Sequence, residues 1–257
     1  MHWINALCLV VLFMSGMGIF NAHPALYWGQ SSYSERPALL EIGVRDGRGV
    51  LRIGQHQFDT TGVLGLARGA NGAPQAHAFP HWITIPGFYS LATSRQWHFF
   101  FAWLFVINGV AYLLYALFTG HLRRDLWPDL RDLRGIPASI WEHVRLRHPQ
   151  GEAARRYNVL QKLAYLSVIC VMLPLIALMG MAMSPMLDTV IHGWVSWFGG
   201  RQAARTIHFI LAWLLLAFLL VHVFEVLISG VWNHLRSMIT GWFAVDESAS
   251  KSSAGKS

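Results

Sequence analysis

Residues 205–225 constrain this chain more than any other stretch. They form an unbroken apolar run that is interrupted only by His208 and His222 and bounded by Arg205 and Glu225. Its middle is long enough to cross a bilayer as a helix. Fourteen residues separate the two histidines, which on a helix puts them about 21 Å apart along the axis and roughly 40° apart around it. They therefore share a face, one near each membrane surface. An ionisable side chain inside a membrane helix is expensive and marks a functional position by default. The plainer alternative is that each imidazole bonds to a neighbouring helix.

Composition agrees with a membrane setting. The chain is 54% hydrophobic and 13% charged, against the quarter or so of charged residues in an ordinary soluble domain. A net charge of +7 could suggest nucleic acid. The basic residues, however, lie beside the apolar spans, where they set topology, so no nucleic-acid partner is expected. Cys8 and Cys170 both fall inside apolar spans and form no CxxC pattern, which gives no support to an iron–sulfur or zinc site.

The pattern predicts an all-α integral membrane protein with four spans, at about 4–20, 97–118, 159–183 and 206–228, in a single domain over 1–257. The first span could be read as a signal peptide, but it lacks a basic lead-in, so a retained helix is expected. Residues 21–96 form a long loop. Within it, 39–44 and 49–53 alternate apolar and polar residues around Asp46-Gly47, which predicts a hairpin, while Gly69–Gly72 reads as loop. A connection of this length suits partner docking. Pro80, Trp82, Pro86, Phe88 and Tyr89 suit an interfacial segment, and His77 and His81 form a weak metal-site candidate. Pro174 should kink the third span. His192, Trp194 and Trp197 fit an interfacial belt.

Residues 119–157 carry eight arginines, against six in the longer 21–96 loop. The positive-inside bias places 119–157 in the cytoplasm and 21–96 in the periplasm. Short surface helices are expected at 127–133 and 136–147, and a disordered tail at 242–257. Both termini are then cytoplasmic, in a bacterial inner membrane. This topology gives every histidine a depth. His98, at the start of span two, shares a level with His208, and His2 shares a level with His222. Each pair could supply both axial ligands of a six-coordinate haem, a state suited to electron transfer because no position is open to substrate. His121, His143, His148 and His234 fall outside this geometry and read as surface residues.

Several motifs now point to a known family. They are His2-Trp3-Ile4-Asn5-Ala6 with Ser15-Gly16, Trp97-His98, the run Arg156-Tyr157-Asn158 through Gln161-Lys162, and the pair His208 and His222. On these the chain resembles the di-haem cytochrome b subunit family of formate dehydrogenases, Ni–Fe hydrogenases and thiosulfate reductases. The resemblance implies two haem b groups, exchange with the quinone pool, and a periplasmic catalytic subunit carrying molybdopterin or another redox centre. It also implies a quinone site at the inner haem involving Asn158 and His222, with Gln161 and Lys162 as further polar donors or propionate partners. Asn158 could equally cap its helix. Arg95, Arg201 and Arg205 lie where outer propionates would need cations, although exposed interfacial arginines are the default reading. Two features depart from the family pattern: the 21–96 loop is longer, and the chain begins at the ligand position. A metal-ion or small-solute transporter is the alternative from another class; against it, the spans show no inverted repeat. A cofactor-free anchor and a self-contained quinone-linked oxidase are further variants.

Overall fold

The computed structural model describes residues 1–32, 37–69, 71–120, 127–129, 135–137, 139, 159–240 and 242. Most of the expected surface helices at 127–133 and 136–147, His121, His143, His148, Asn158 and the tail lie outside these residues, as does the side chain of His234. Four helices are long and apolar enough to cross a membrane: α1 (His2–Phe20), α2 (Leu91–Thr119), α3 (Val159–Ala182) and α5 (Arg201–Ile228). Shorter helices include α4 (Pro185–Val190) and α6 (Val231–Thr240), with 3-10 turns at His81–Ile83 and Trp194–Phe198. The protein is an all-α integral membrane protein with a modest β component.

The membrane helices outrun their apolar cores. The second begins at Leu91 and the fourth at Arg201, each about a turn or more before the apolar run predicts. Polar residues such as Ser94, Arg95, Gln96 and Gln202 therefore belong to helical ends, and His98 and His208 sit inside their helices rather than at the first turn. In the third span the helix passes through a π-helical stretch at Ser167–Met172, just before Pro174. A π-turn is one recognised way for a helix to accommodate a missing backbone donor.

By contacts the chain separates into two units, Met1–Leu114 with Pro174–Trp213, and Tyr115–Leu173 with Leu214–Ser257. The first unit contains the 21–90 module, which is more ordered than a connector. Among the described residues six strands form two sheets. β1 (Ala25–Leu26), β2 (Leu40–Arg45), β3 (Arg48–Ile53) and β4 (His56–Asp59) make one antiparallel sheet in sequential order, while β5 (Gly65–Arg68) pairs with β6 (Pro74–His77). The predicted hairpin is β2–β3, with Arg45 opposite Arg48. Its two-residue turn places both Asp46 (φ 51°) and Gly47 (φ 71°) in left-handed conformation, the type I′ geometry that Asp-Gly favours.

One face of this sheet is seated on the end of α1. Met17, Phe20, Leu26, Ile42, Ala78 and Phe79 form a buried cluster, bordered by Phe13 and Phe209. Burying one such aromatic or aliphatic side chain contributes about 1.5–3 kcal/mol, so the cluster fixes the module to the helix. The backbone N–H of Ile85 adds a bond to the Met14 carbonyl at 3.3 Å. The opposite sheet face is charged, with Glu41 between Arg45 and Arg52 and with Arg48 3.5 Å from Asp59.

The start of α5 is tied to the same module. The first-turn N–H groups of Gln202 and Ala203 donate to the Gly29 carbonyl at 3.0 and 3.2 Å, satisfying donors that a helix leaves unpaired. Gly200 permits this approach, since a Cβ there would lie 2.7 Å from that carbonyl oxygen. Thr206 donates to the Tyr27 carbonyl at 2.7 Å, and Arg205 donates to the carbonyls of Ala25, at 2.8 Å, and His23. The C-terminal end of α1 and the N-terminal ends of α2 and α5 thus lie on one side, as the four-span topology requires.

Candidate functional site

Two histidines meet in the first unit. His98, two turns into α2, and His208, two turns into α5, have ring centroids 6.2 Å apart with the rings inclined at 63°. Each ring is anchored through Nδ1. His98 Nδ1 lies 3.1 Å from the Ser15 hydroxyl of α1, and His208 Nδ1 lies 2.9 Å from the Ile176 carbonyl of α3. Each ring also rests on a glycine. A Cβ added at Gly16 would lie 3.5 Å from His98 Cε1, and one at Gly180 would lie 3.4 Å from His208 Cε1. Four helices therefore contribute, two presenting imidazoles and two presenting bare backbone behind them.

This arrangement suits a metal held between the rings. An imidazole fixed by an acceptor at Nδ1 keeps its proton there and leaves the Nε2 lone pair for metal. The two rings lie 6.2 Å apart between centroids, and each has its Nδ1 at an acceptor of a neighbouring helix. No grouping of three or more His, Cys, Asp or Glu side chains occurs among the described residues. A pair is too few for a closed four-ligand zinc site and matches the two axial positions of a haem. The residues present fit that group.

The other predicted residues fall as follows. His2 opens α1, beside Trp3. Near this end the Asn108 side chain of α2 donates to the Met1 carbonyl at 3.1 Å and to Asn5 Oδ1 at 2.8 Å. Both amide N–H groups of a buried residue are thereby used on the first turn of α1. In the second unit, His222 stacks on Phe218 with centroids 5.8 Å apart and meets Tyr165 of α3 edge-on at 6.3 Å. Gln161 lies one turn before Tyr165, on the same face of α3.

The arginines behave differently from one another. Arg95 lies over the Phe99 ring at 5.6 Å and is exposed, as the default reading holds. Arg201 pairs with Asp188 at 3.4 Å. Arg205 departs from that reading: it is partly buried, lies over Phe20 at 5.4 Å, and its guanidinium is occupied by main-chain carbonyls. Of the weak candidates in the loop, His77 stacks on Tyr89 at 4.7 Å and the His81 ring is held by the Arg68 carbonyl at 3.2 Å. Sequence reasoning missed Ser15 and Gly180 as parts of the site. Ser15 and Gly16 stood out as a motif, but nothing in the sequence says which ring they face.

Comparison with known proteins agrees with this geometry. The family model for prokaryotic cytochrome b561 matches residues 1–241. A putative protein-methionine-sulfoxide reductase subunit, YedZ1, from Azospira oryzae is 32% identical over 166 residues, covering 63% of this chain and 77% of that protein. No solved structure matches. The four membrane helices and the family match define a multi-pass bacterial membrane cytochrome of the b type. The chain belongs to the prokaryotic cytochrome b561 family, whose members bind haem b and carry electrons in the membrane.

Proposed function

We propose that this chain is a di-haem cytochrome b subunit of the bacterial inner membrane, carrying electrons between the quinone pool and a periplasmic molybdopterin-type oxidoreductase. The observation that carries the reading is the His98–His208 pair, with its centroid spacing of 6.2 Å and both Nδ1 atoms committed to acceptors. His98 and His208 hold the outer haem, and His2 and His222 hold the inner one. Bound haem supplies one-electron storage at an iron with no position free for substrate. The chain's own residues orient the ligands, exclude water and fix the tautomers.

The inner end is where quinone exchanges electrons. Gln161, sharing a face with Tyr165, and Asn158, four residues before Lys162 in the sequence, offer amide donors to a quinone carbonyl. His222 lies against Tyr165. The arginine-rich 119–157 segment and both termini are cytoplasmic. The 21–90 module then faces the periplasm and receives the catalytic subunit. The name of the Azospira relative, a reductase subunit, supports service to a separate catalytic chain, and family membership favours electron transfer over solute transport.

Reduction by quinol tests the function directly. The purified chain mixed with a soluble quinol analogue should show haem reduction in a stopped-flow spectrophotometer. Asn158→Leu and Gln161→Leu should slow that reduction about tenfold or more while leaving dithionite reduction complete. A chain that dithionite reduces and quinol does not would overturn the quinone link.

A further inference from the structure

We infer that the Ser15 hydroxyl is a positioning residue for the outer site, setting the tautomer, rotation and donor strength of His98. The inference rests on the reading of His98 as an axial ligand. A serine inside a helix commonly turns its hydroxyl back to a carbonyl one turn earlier, with no further role. Ser15 does this too: its Oγ lies 2.7 Å from the Val11 carbonyl and 3.3 Å from that of Leu12. That contact settles the proton accounting. The hydroxyl has one proton, and a carbonyl can only accept it. Toward His98 Nδ1, at 3.1 Å, Ser15 has only lone pairs to offer.

Nδ1 of His98 must therefore carry the ring proton, leaving Nε2 as the ligand atom. Ser15 is fully buried, so water does not compete for the contact. Because the hydroxyl donates to Val11 while it accepts from His98, the two bonds polarise each other. The Gly16 backbone beside it leaves room for the ring edge, with Cε1 at contact distance from where a Cβ would stand. Ser15 holds the ring while Gly16 leaves space for it.

The two outer ligands differ in how they are held. His208 is held by a main-chain carbonyl, which no side-chain substitution removes. His98 is held by the Ser15 side chain with the Leu12 main-chain carbonyl beside it, so a single residue adjusts part of its donor strength. An acceptor on Nδ1–H makes the imidazole a stronger electron donor and favours ferric iron. Removing that acceptor should raise the potential of the outer haem and leave the inner one unchanged.

The test uses the full-length chain in detergent, with Ser15→Ala, Ser15→Thr and His98→Ala, followed by optical redox titration and low-temperature electron paramagnetic resonance. Ser15→Ala should keep both haems and shift the outer component's ferric/ferrous equilibrium on the order of tenfold toward ferrous, about 59 mV for one electron. Its low-spin resonance should move while the inner component's does not. Ser15→Thr, which retains a hydroxyl, should restore both signals toward wild type. Loss of the outer haem alone in Ser15→Ala would support the same role in a stronger form. Unchanged signals, equal shifts in both components, or loss of both haems would overturn it. If His98→Ala keeps the outer component, the ligand assignment itself fails, whatever Ser15 does.

Discussion

His98 and His208 each give one ring nitrogen to the protein and keep the other for chemistry, and the glycines behind them decide how much room the rings have. A Cβ at Gly180 would meet His208 Cε1 at 3.4 Å, an ordinary contact, whereas a branched side chain would occupy the ring's own place. Gly180→Ala should therefore retain the outer haem and Gly180→Leu should lose it, as read from the absorbance of the purified variants. Equal retention in both would remove the cradle from the account. His23, just beyond α1, makes a second residue-scale case. Burial, and then the Arg205 charge, push its pKa below the usual 6.5. The unfolded chain binds this proton more readily, so stability is fully present above about pH 6.5 and is lost as pH falls through the folded value. Amide protection around 23–29, relative to the intrinsic exchange rate at each pH, should fall between pH 7 and 5, and His23→Asn should flatten that dependence. At this scale the meeting of His98 with His208 was legible, because helical arithmetic and span order fix the depth of each ring. Arg205 was not, because its partners are main-chain oxygens of residues 23 and 25, which carry no sequence signal.

Among the elements, the β2–β3 hairpin was the part of the long loop that could be read in advance. Its strands alternate, and Asp46-Gly47 names its turn. Gly47→Ala, at φ 71°, should cost about 1 kcal/mol, seen as faster amide exchange confined to β2 and β3. The other strands gave little warning. β1 has two residues, and apart from Leu66, β5 and β6 are built from Gly, Ala, Pro and polar residues with little strand preference. Their pairing depends on the cluster around Ile42 and Phe79, a tertiary cause that periodicity does not record. In the membrane, Asn108 joins α2 to the first turn of α1 through two hydrogen bonds. Asn108→Leu should remove that tie and strand Asn5, lowering unfolding stability by roughly 0.6–1.7 kcal/mol. A stabilised variant in detergent unfolding would contradict that role.

At the scale of the whole molecule, the chain combines a membrane cytochrome with an ordered extramembrane module set on the end of α1 and tied to the start of α5. The side that carries the module is also the side of the His98–His208 pair, so a catalytic subunit docked there would meet the outer haem first. In the proposed reading, quinone exchanges electrons near His222 and Gln161. The four spans were legible because bilayer thickness sets helix length. The module's two sheets were not, since they answer to packing on α1. The measurement that tests the central claim most directly is the haem-to-protein ratio of the purified chain, by pyridine haemochrome, beside His208→Ala and His222→Ala. The account predicts a ratio near two, falling to about one in each variant with a different spectral component lost. A chain that binds no haem in cells making other b-type cytochromes, or one whose ratio is unmoved by His208→Ala, would contradict it.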